Sequence, residues 1–336
     1  MDKEILFSII MPTYNSERTI GKALQSIRMQ DLHAEEIEIL VIDGGSTDQT
    51  IEIALKYGAI ILQNPDRVPE YAKRIGFAAA KGRWAVMQDS DEVMTETSQL
   101  RRRKELFEKN PNVYCLVLDK FIPGQHCGVA CAYVNWFGDP FSYVVYGLSD
   151  SRVRDNRRYL CKSDDSGNIY AYTKNDIIPI GDGGTATVDI LKAKELFGKE
   201  YYTQEFAVSI FYRMVERTSY VGCIPEDNIV HYSAAKFKNY LKKLRFRVYT
   251  NLNDVKQSGY SVRSQNNKAL KSRKYLFILY VLSVFAPIID SIKMCIRYRR
   301  IELLLHFVYT YYVALELFTG ILKKILKVQK EINSYG

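Results

Sequence analysis

Three acid- or hydroxyl-rich loops, each placed directly after an apolar run of strand length, most constrain what this chain can fold into. Ile5–Met11 is a continuous apolar stretch that ends in Pro12-Thr13-Tyr14-Asn15-Ser16. Ile37–Ile42 is a second and ends in Asp43-Gly44-Gly45-Ser46-Thr47-Asp48. Arg83–Gln88 is a third and ends in Asp89-Ser90-Asp91. Between them the apolar residues take helical spacing, as in Ile20, Ala23, Leu24 and Ile27, with Asn15 or Ser16 able to cap that helix. Thr47 or Asp48 can cap a helix to about Tyr57. Ala59–Leu62 reads as a strand, and Pro69 can open a helix reaching Ala80. A helix over Ser98–Lys109 and a strand near Val113–Leu118 continue the series. Strands apolar on both faces that alternate with helices predict an α/β fold with a mostly parallel central sheet flanked by helices. Ligands on such sheets bind beyond the carboxyl ends of the strands. The three loops lie at that edge, so the pattern predicts one crevice built from sequence-distant pieces.

Charge divides the 336 residues into two parts. Residues 236–336 hold 20 Lys and Arg against Asp254, Asp290, Glu302, Glu316 and Glu331, a local +15. Of the net +9, that leaves −6 for residues 1–235. An acidic front and a basic back predict a globular head and a tail that meets an anionic surface. The composition, 47% hydrophobic and 25% charged, excludes a wholly disordered chain and a disulfide mini-scaffold. None of the six cysteines forms a Cys-x-x-Cys pair, and all are read as reduced thiols of a cytosolic chain. The N-terminus does not read as a signal peptide, because its apolar run is short and ends in a turn.

The acid pair Asp89-Ser90-Asp91 suits a hard divalent cation, Mn²⁺ or Mg²⁺, bridging to a diphosphate. Taken alone it also reads as a solvated turn. Its neighbours carry a resemblance. Ser8-Ile9-Ile10-Met11-Pro12-Thr13-Tyr14-Asn15 resembles the opening strand of family 2 glycosyltransferases of the GT-A fold. Val41-Ile42-Asp43-Gly44-Gly45-Ser46-Thr47-Asp48-Gln49-Thr50 resembles their second-strand motif. Ala72-Lys73-Arg74-Ile75-Gly76 and Ala80-Lys81-Gly82 resemble the helix that precedes their acid-pair strand. The likeness is close over residues 5 to about 95 and weaker to about 235.

The resemblance implies roles. Asp43 would hydrogen-bond the nucleotide base beside Tyr14, with Pro12, Thr13 and Asn15 lining the same pocket. Asp43 by itself also reads as a helix-leading turn residue. Lys73 stands where the family usually has Arg, near the nucleotide. Arg74 stands where Asn is usual. For both, a solvated helix face is the alternative. Asp89 would contact ribose or donor sugar and share the cation. Asp91 would be the principal metal ligand, and His231, at the end of a strand over Asn228–Tyr232, would complete the metal shell; an ordinary surface or core histidine is its alternative. Gly181-Asp182-Gly183-Gly184-Thr185 resembles the family's donor-side glycine loop, which puts Gly183 and Gly184 near the sugar; a plain turn is the alternative. Gln204-Glu205 stands where Glu-Asp is usual, so Glu205 is the candidate catalytic base, one methylene longer than the family's acid. An ordinary helix-start acid is its alternative. His33, His126 and His306 are read as structural.

Domains are expected as a GT-A catalytic domain over 1–235, with a nucleotide-sugar half at 1–118 and an acceptor half at 119–235. A basic helical tail would follow at 236–336. In that tail, Tyr275–Ile289 is free of charge and broken at Pro287. Ile301–Leu322 is apolar but holds Glu302, His306 and Glu316. A spanning helix needs about 20 apolar residues. Basic clusters at Lys268–Lys274, at Lys293–Arg300 and at Lys323–Lys330 all stay on one side if these helices lie in the membrane interface. True spans and a buried helical or oligomer interface are the other two placements.

The expected function is metal-dependent, inverting transfer of a sugar from a nucleotide-diphosphate sugar to a saccharide or polyprenyl-linked acceptor. It would serve cell-surface glycan or lipid-linked saccharide synthesis at the cytoplasmic face of the cell membrane. The alternatives are a GT-A-fold glycan-binding or scaffold protein that has lost catalysis, and a nucleic-acid binder using the basic tail. No nucleic-acid module is recognisable. No Gly-x-Gly-x-x-Gly follows the first strand, which disfavours a dinucleotide dehydrogenase.

Overall fold

The computed structural model describes residues 4–67, 69–146, 157–173, 176, 186–233, 236–252 and 268–327. Along the chain run β1 (Phe7–Thr13), α1 (Ile20–Arg28), β2 (Ile37–Asp43), α2 (Thr50–Lys56), β3 (Ile60–Gln63), α3 (Pro69–Ala79), β4 (Trp84–Met87), β5 (Glu92–Met94) and α4 (Gln99–Lys109). Then come β6 (Cys115–Val117), β7 (Phe121–Pro123), α5 (Val129–Phe137), α6 (Pro140–Tyr146), β8 (Leu160–Asp164), β9 (Gly167–Ala171), β10 (Thr187–Asp189), α7 (Ile190–Phe197) and α8 (Gln204–Thr218). The chain continues through β11 (Tyr220–Cys223), β12 (Ile229–His231), α9 (Phe237–Leu252), α10 (Lys268–Leu282), α11 (Phe285–Tyr298) and α12 (Leu305–Ile325).

The chain divides into two compact units, residues 1–122 with 151–231, and residues 123–150 with 232–336. This differs from a break at 235 alone, because 123–150 groups with the tail. The reason lies in α5 and α6, whose Tyr-rich apolar faces find partners in the tail helices. The Tyr133 ring lies 4.8 Å from Tyr309 and 6.2 Å from Tyr240.

In the first unit a nine-stranded sheet has the order β3-β2-β1-β4-β10-β6-β11-β9-β8. Its first four strands are parallel, and β2 is buried along its whole length, as continuous apolar runs require. Beyond β4 the sheet is mixed. β10 runs antiparallel to both β4 and β6, and β9 runs antiparallel to β11 and β8. The mostly parallel expectation therefore describes the β3–β4 half, which carries the three loops. Two glycines set its packing. A Cβ on Gly76 would overlap Cγ2 of Ile10, so α3 can lie close on β1 only with glycine there. A Cβ on Gly82 would stand 2.8 Å from the backbone of Phe7 and Ser8. Much of the family-like pattern around α3 is thus explained by close approach of backbone.

A second sheet, β5-β12-β7, lies beside the acid pair. Buried charge holds its approach in place. Arg103 on α4 is fully buried, and its Nε and Nη2 donate to Asp227 Oδ2 and Oδ1 at 2.8 and 2.9 Å. Gln99 Nε2 donates to the same carboxylate at 2.5 Å, and Arg103 Nη1 donates to Thr187 Oγ1 on β10 at 3.2 Å. Asp227 stands two residues before β12, so this cluster anchors the strand that ends in His231.

The helical unit is built around His306, fully buried, with Tyr133 Oη 3.0 Å from Nδ1 and Tyr280 Oη 3.3 Å from Nε2. The structural reading of His306 holds. Burial pushes its pKa down to about 4, against a smaller upward pull from Asp139. The folded state therefore binds fewer protons than the unfolded chain between about pH 6.5 and 4, and stability falls as pH drops through that window. The expected loss is roughly 3 kcal/mol by pH 4. Melting curves of wild type and His306→Gln across this range check it; the variant should lack that step.

The structure departs from the reduced-thiol expectation at one pair. Cys127 and Cys131 are disulfide-bonded across the start of α5, with Cα atoms 5.7 Å apart, because four-residue spacing there brings the two side chains together. Cys115 and Cys223 are buried free thiols.

Candidate functional site

The three loops meet at the carboxyl edge of β1, β2 and β4. Parallel pairing sets Thr13 opposite Asp43, and Gly44 N–H donates to Thr13 O at 2.9 Å. Asn15, at φ 46, donates its N–H to Ser46 Oγ at 2.9 Å and accepts from Thr47 N–H through Oδ1 at 2.8 Å. Ser16 N–H donates to Thr50 Oγ1 at 2.7 Å. The acid-pair loop joins the same cluster, since Ser90 Oγ donates to Ser16 Oγ at 2.9 Å. Side chains of Asn15, Ser16, Ser46 and Ser90 thus lock the three loops into one wall, as the topology predicts.

Asp43 is buried, and both of its carboxylate oxygens serve its own loop. They accept from Gly45 N–H at 3.0 Å, from Ser46 N–H at 3.0 and 3.1 Å, and from Ser46 Oγ at 2.5 Å. Gly45 holds φ 87 here, a conformation glycine takes without steric cost. The carboxylate therefore shapes the loop, and any base it meets must share it with these donors. Tyr14 is more than half exposed beside that loop, with Pro12 paired opposite Ile42. At neighbouring strand ends, Thr13 Oγ1 and Gln88 Oε1 are buried with no hydrogen-bond partner among the described residues. Buried polar atoms are paired in the great majority of cases, so two orphans at one edge point to a polar ligand.

The acid pair is built on the turn from β4 to β5. Glu92 is buried; its carboxylate accepts Asp89 N–H at 3.0 Å, and its own N–H donates to Asp89 O at 3.0 Å. β12 pairs antiparallel with β5, setting His231 opposite Glu92. His231 Nε2 consequently lies 3.4 Å from Asp91 Oδ2, with the Phe121 ring 5.2 Å from the imidazole. Two residues 140 positions apart in sequence meet as a carboxylate and an imidazole. Their spacing is close to the roughly 3 Å edge of an octahedron with ~2.1 Å bonds, so the donors fit a Mn²⁺- or Mg²⁺-sized ion. Among the described residues there is no cluster of three or more His, Cys, Asp or Glu that would hold a metal by itself. A cation here would draw its remaining ligands from water and a bound diphosphate. Asp89 is exposed two residues before Asp91.

Lys73 sits half-buried on α3, and Arg74 is exposed with its guanidinium 6.0 Å from the Tyr71 ring. Glu205 occupies the first turn of α8, behind Thr203, whose Oγ1 accepts Phe206 N–H at 3.3 Å. α8 packs along α3. Gly183 and Gly184 lie outside the described residues. Sequence reasoning passes over Glu92 and Ser90, which hold the acid-pair turn. Their only sequence signal is adjacency to Asp89 and Asp91.

The sequence model of Glycosyl transferase family 2 matches residues 8–128. The poly(ribitol-phosphate) β-N-acetylglucosaminyltransferase TarS of Staphylococcus aureus is 34% identical over 96 residues, 27% of this chain and 17% of that protein. The glucosyl-3-phosphoglycerate synthase of Petrotoga mobilis is 37% identical over 82 residues, 24% of each chain. The matched stretch thus spans less than a quarter of these relatives. A mannosyltransferase of Pyrobaculum calidifontis, solved with GDP-Man and Mn²⁺, shares the fold at a TM-score of 0.52 and 14% identity, over 93% of this chain and 86% of that one. Residues 8–128, about a third of the chain, are therefore similar to glycosyl transferase family 2, and the strand-end motifs, the β1–β4 order and the mannosyltransferase match together give the chain the GT-A fold.

Proposed function

We propose that this chain is an inverting glycosyltransferase that takes a sugar from a nucleotide-diphosphate sugar. The observation that carries the reading is Asp91 Oδ2 at 3.4 Å from His231 Nε2, beside three loops tied into one wall. The Pro12–Asn15 and Asp43–Ser46 loops would hold the nucleoside, with Tyr14 against the base and Lys73 near the phosphates. Asp91 and His231, with Asp89 beside them, would hold Mn²⁺ or Mg²⁺. When bound, such a cation neutralises charge on the departing diphosphate. Glu205 would accept the proton of the acceptor hydroxyl as its oxygen bonds to the anomeric carbon and the bond to the diphosphate breaks. Gly183 and Gly184 would let backbone approach the donor sugar. The acceptor would be a saccharide or a polyprenyl-linked saccharide of a cell-surface glycan.

The screen that tests this is thermal stabilisation by UDP-, GDP- and CMP-sugars with Mn²⁺. One nucleotide class should raise the melting temperature, and only with the cation. A folded protein that neither binds nor turns over any donor would instead be a scaffold that kept the fold, the reading that Gln204-Glu205 motivates.

We place the reaction at the cytoplasmic face of a membrane, supported by the cationic tail. The cytosol is reducing, so the Cys127–Cys131 bond drawn in the structure would be open there and both residues thiols. Alkylation and mass analysis of protein quenched in its host should find them free; a bonded pair there contradicts this placement.

A further inference from the structure

The helical unit carries an apolar elbow that nothing in the described residues covers. α10 and α11 meet at 93° across Ser283-Val284, with Val284 at φ 56. The sequence places the break at Pro287; the structure puts Pro287 in the first turn of α11, where a missing N–H costs nothing. Large apolar side chains stand out on both arms and at the vertex. Leu282 is 70% exposed, Phe285 69% and Ile296 73%, with Leu279, Val284 and Ile292 about half exposed or more.

The bend is held from within. Tyr280 Oη on one arm donates to Asp290 Oδ2 on the other at 3.1 Å, and Tyr311 Oη on α12 donates to Val284 O at 2.6 Å. Neither arm can cross a bilayer. The arms, Lys268–Leu282 and Phe285–Tyr298, are about 23 and 21 Å long at ~1.5 Å per residue, against a core of about 30 Å.

Charge selects the occupant. Over residues 273–327 every exposed charged side chain among the described residues is cationic, including Lys293, Arg297, Arg299 and Arg300 on or just after α11. The acids of this stretch are half-buried; Asp290 accepts from Tyr280 and Tyr143, and Glu316 is 3.5 Å from Arg245. A second copy would bring these cations against each other around the apolar face. An anionic lipid surface answers both features, taking the apolar side chains below the headgroups and the cations at the phosphates.

We propose that the α10–α11 elbow is a preformed wedge that enters the headgroup–acyl boundary of an anionic bilayer vertex first. This deepens the membrane placement above and rests on it. The test is flotation of the full-length protein with vesicles of equimolar phosphatidylcholine and phosphatidylglycerol, and with phosphatidylcholine alone. Wild type should float with the mixed vesicles only, and less so in high salt. Leu282→Ser with Phe285→Ser should weaken partition about tenfold or more, and Lys293→Glu with Arg297→Glu should do the same. All four positions are exposed, so melting temperatures should match wild type. The wedge is overturned if wild type stays in the supernatant, binds both vesicles alike, or floats equally well as the Leu282/Phe285 variant. A lipid-free dimer that this variant abolishes would assign the face to a second copy and overturn it too. Donor turnover in the same samples separates the two claims. Turnover without flotation removes the wedge alone, and flotation without turnover removes the transferase reading alone.

Discussion

Asp91→Ala is expected to lower donor turnover by about 10²–10³-fold, the scale of losing one preorganised electrostatic contact in a transferase site. The carboxylate is partly solvent-accessible, at 30% of its side-chain surface, and stands at the mouth of the β4–β5 turn. Glu92, not Asp91, braces that turn through the Asp89 N–H. The variant should therefore remain folded while losing the cation. Nucleotide binding should weaken in the presence of Mn²⁺ and change little without it. His231→Ala should act in the same direction with a smaller effect, since it removes one nitrogen donor and leaves the Asp91 carboxylate in place. Turnover with Mn²⁺ and with a chelator, alongside melting curves, checks both. Full activity in Asp91→Ala would remove Asp91 from the site.

Asp227→Ala is expected to destabilise the first unit by about 3–5 kcal/mol, because it removes the carboxylate paired with the fully buried Arg103 guanidinium. Loss of the carboxylate also leaves Gln99 Nε2 with Asn228 O alone of its two acceptors, at 2.9 Å, and frees the approach to β12. Its consequences should reach the site, since β12 delivers His231 to Asp91. The double change Arg103→Met with Asp227→Leu should recover much of the stability, as buried ion pairs replaced by apolar groups of similar size often do. Urea unfolding of the two variants measures the difference. A single variant within about 1 kcal/mol of wild type would mean that the guanidinium finds water or another partner.

The parallel half of the fold was legible because its strands are apolar on both faces and its helices carry periodic stripes. Observed ends differ by one to three residues at most strands and helices there. The opening helix starts later than expected, at Ile20, with Ser16 O accepting the Thr19 and Ile20 N–H groups instead of a side-chain cap. Elsewhere the signals were weaker. β5 is three residues set directly behind the acid pair, too short for any period. β8 is exposed along its full length, so no apolar alternation marks it. α5 is apolar nearly all round, and that pattern does not distinguish a strand from a buried helix.

At the site, Asp89, Asp91 and the strand-end loops were readable because topology alone gathers them. His231 was readable only through the resemblance. What joins it to Asp91 is the antiparallel register of β12 on β5, and no local sequence feature encodes that pairing. The part played by Glu92 was hidden for the same reason, since it stands on β5 opposite His231 of β12. Asp43 was legible as a site residue, but its hydrogen bonds to Gly45 and Ser46 were not.

The central claim is that the Asp91–His231 pair and the tied loops form a cation-assisted nucleotide site. Titration calorimetry of the nucleoside diphosphate identified by the donor screen, with Mn²⁺ and with chelator, tests it most directly. The account predicts one site per chain, tightened about tenfold or more by Mn²⁺, with that enhancement lost in Asp91→Ala. Binding of equal strength with and without the cation, or an enhancement that survives Asp91→Ala, would contradict it.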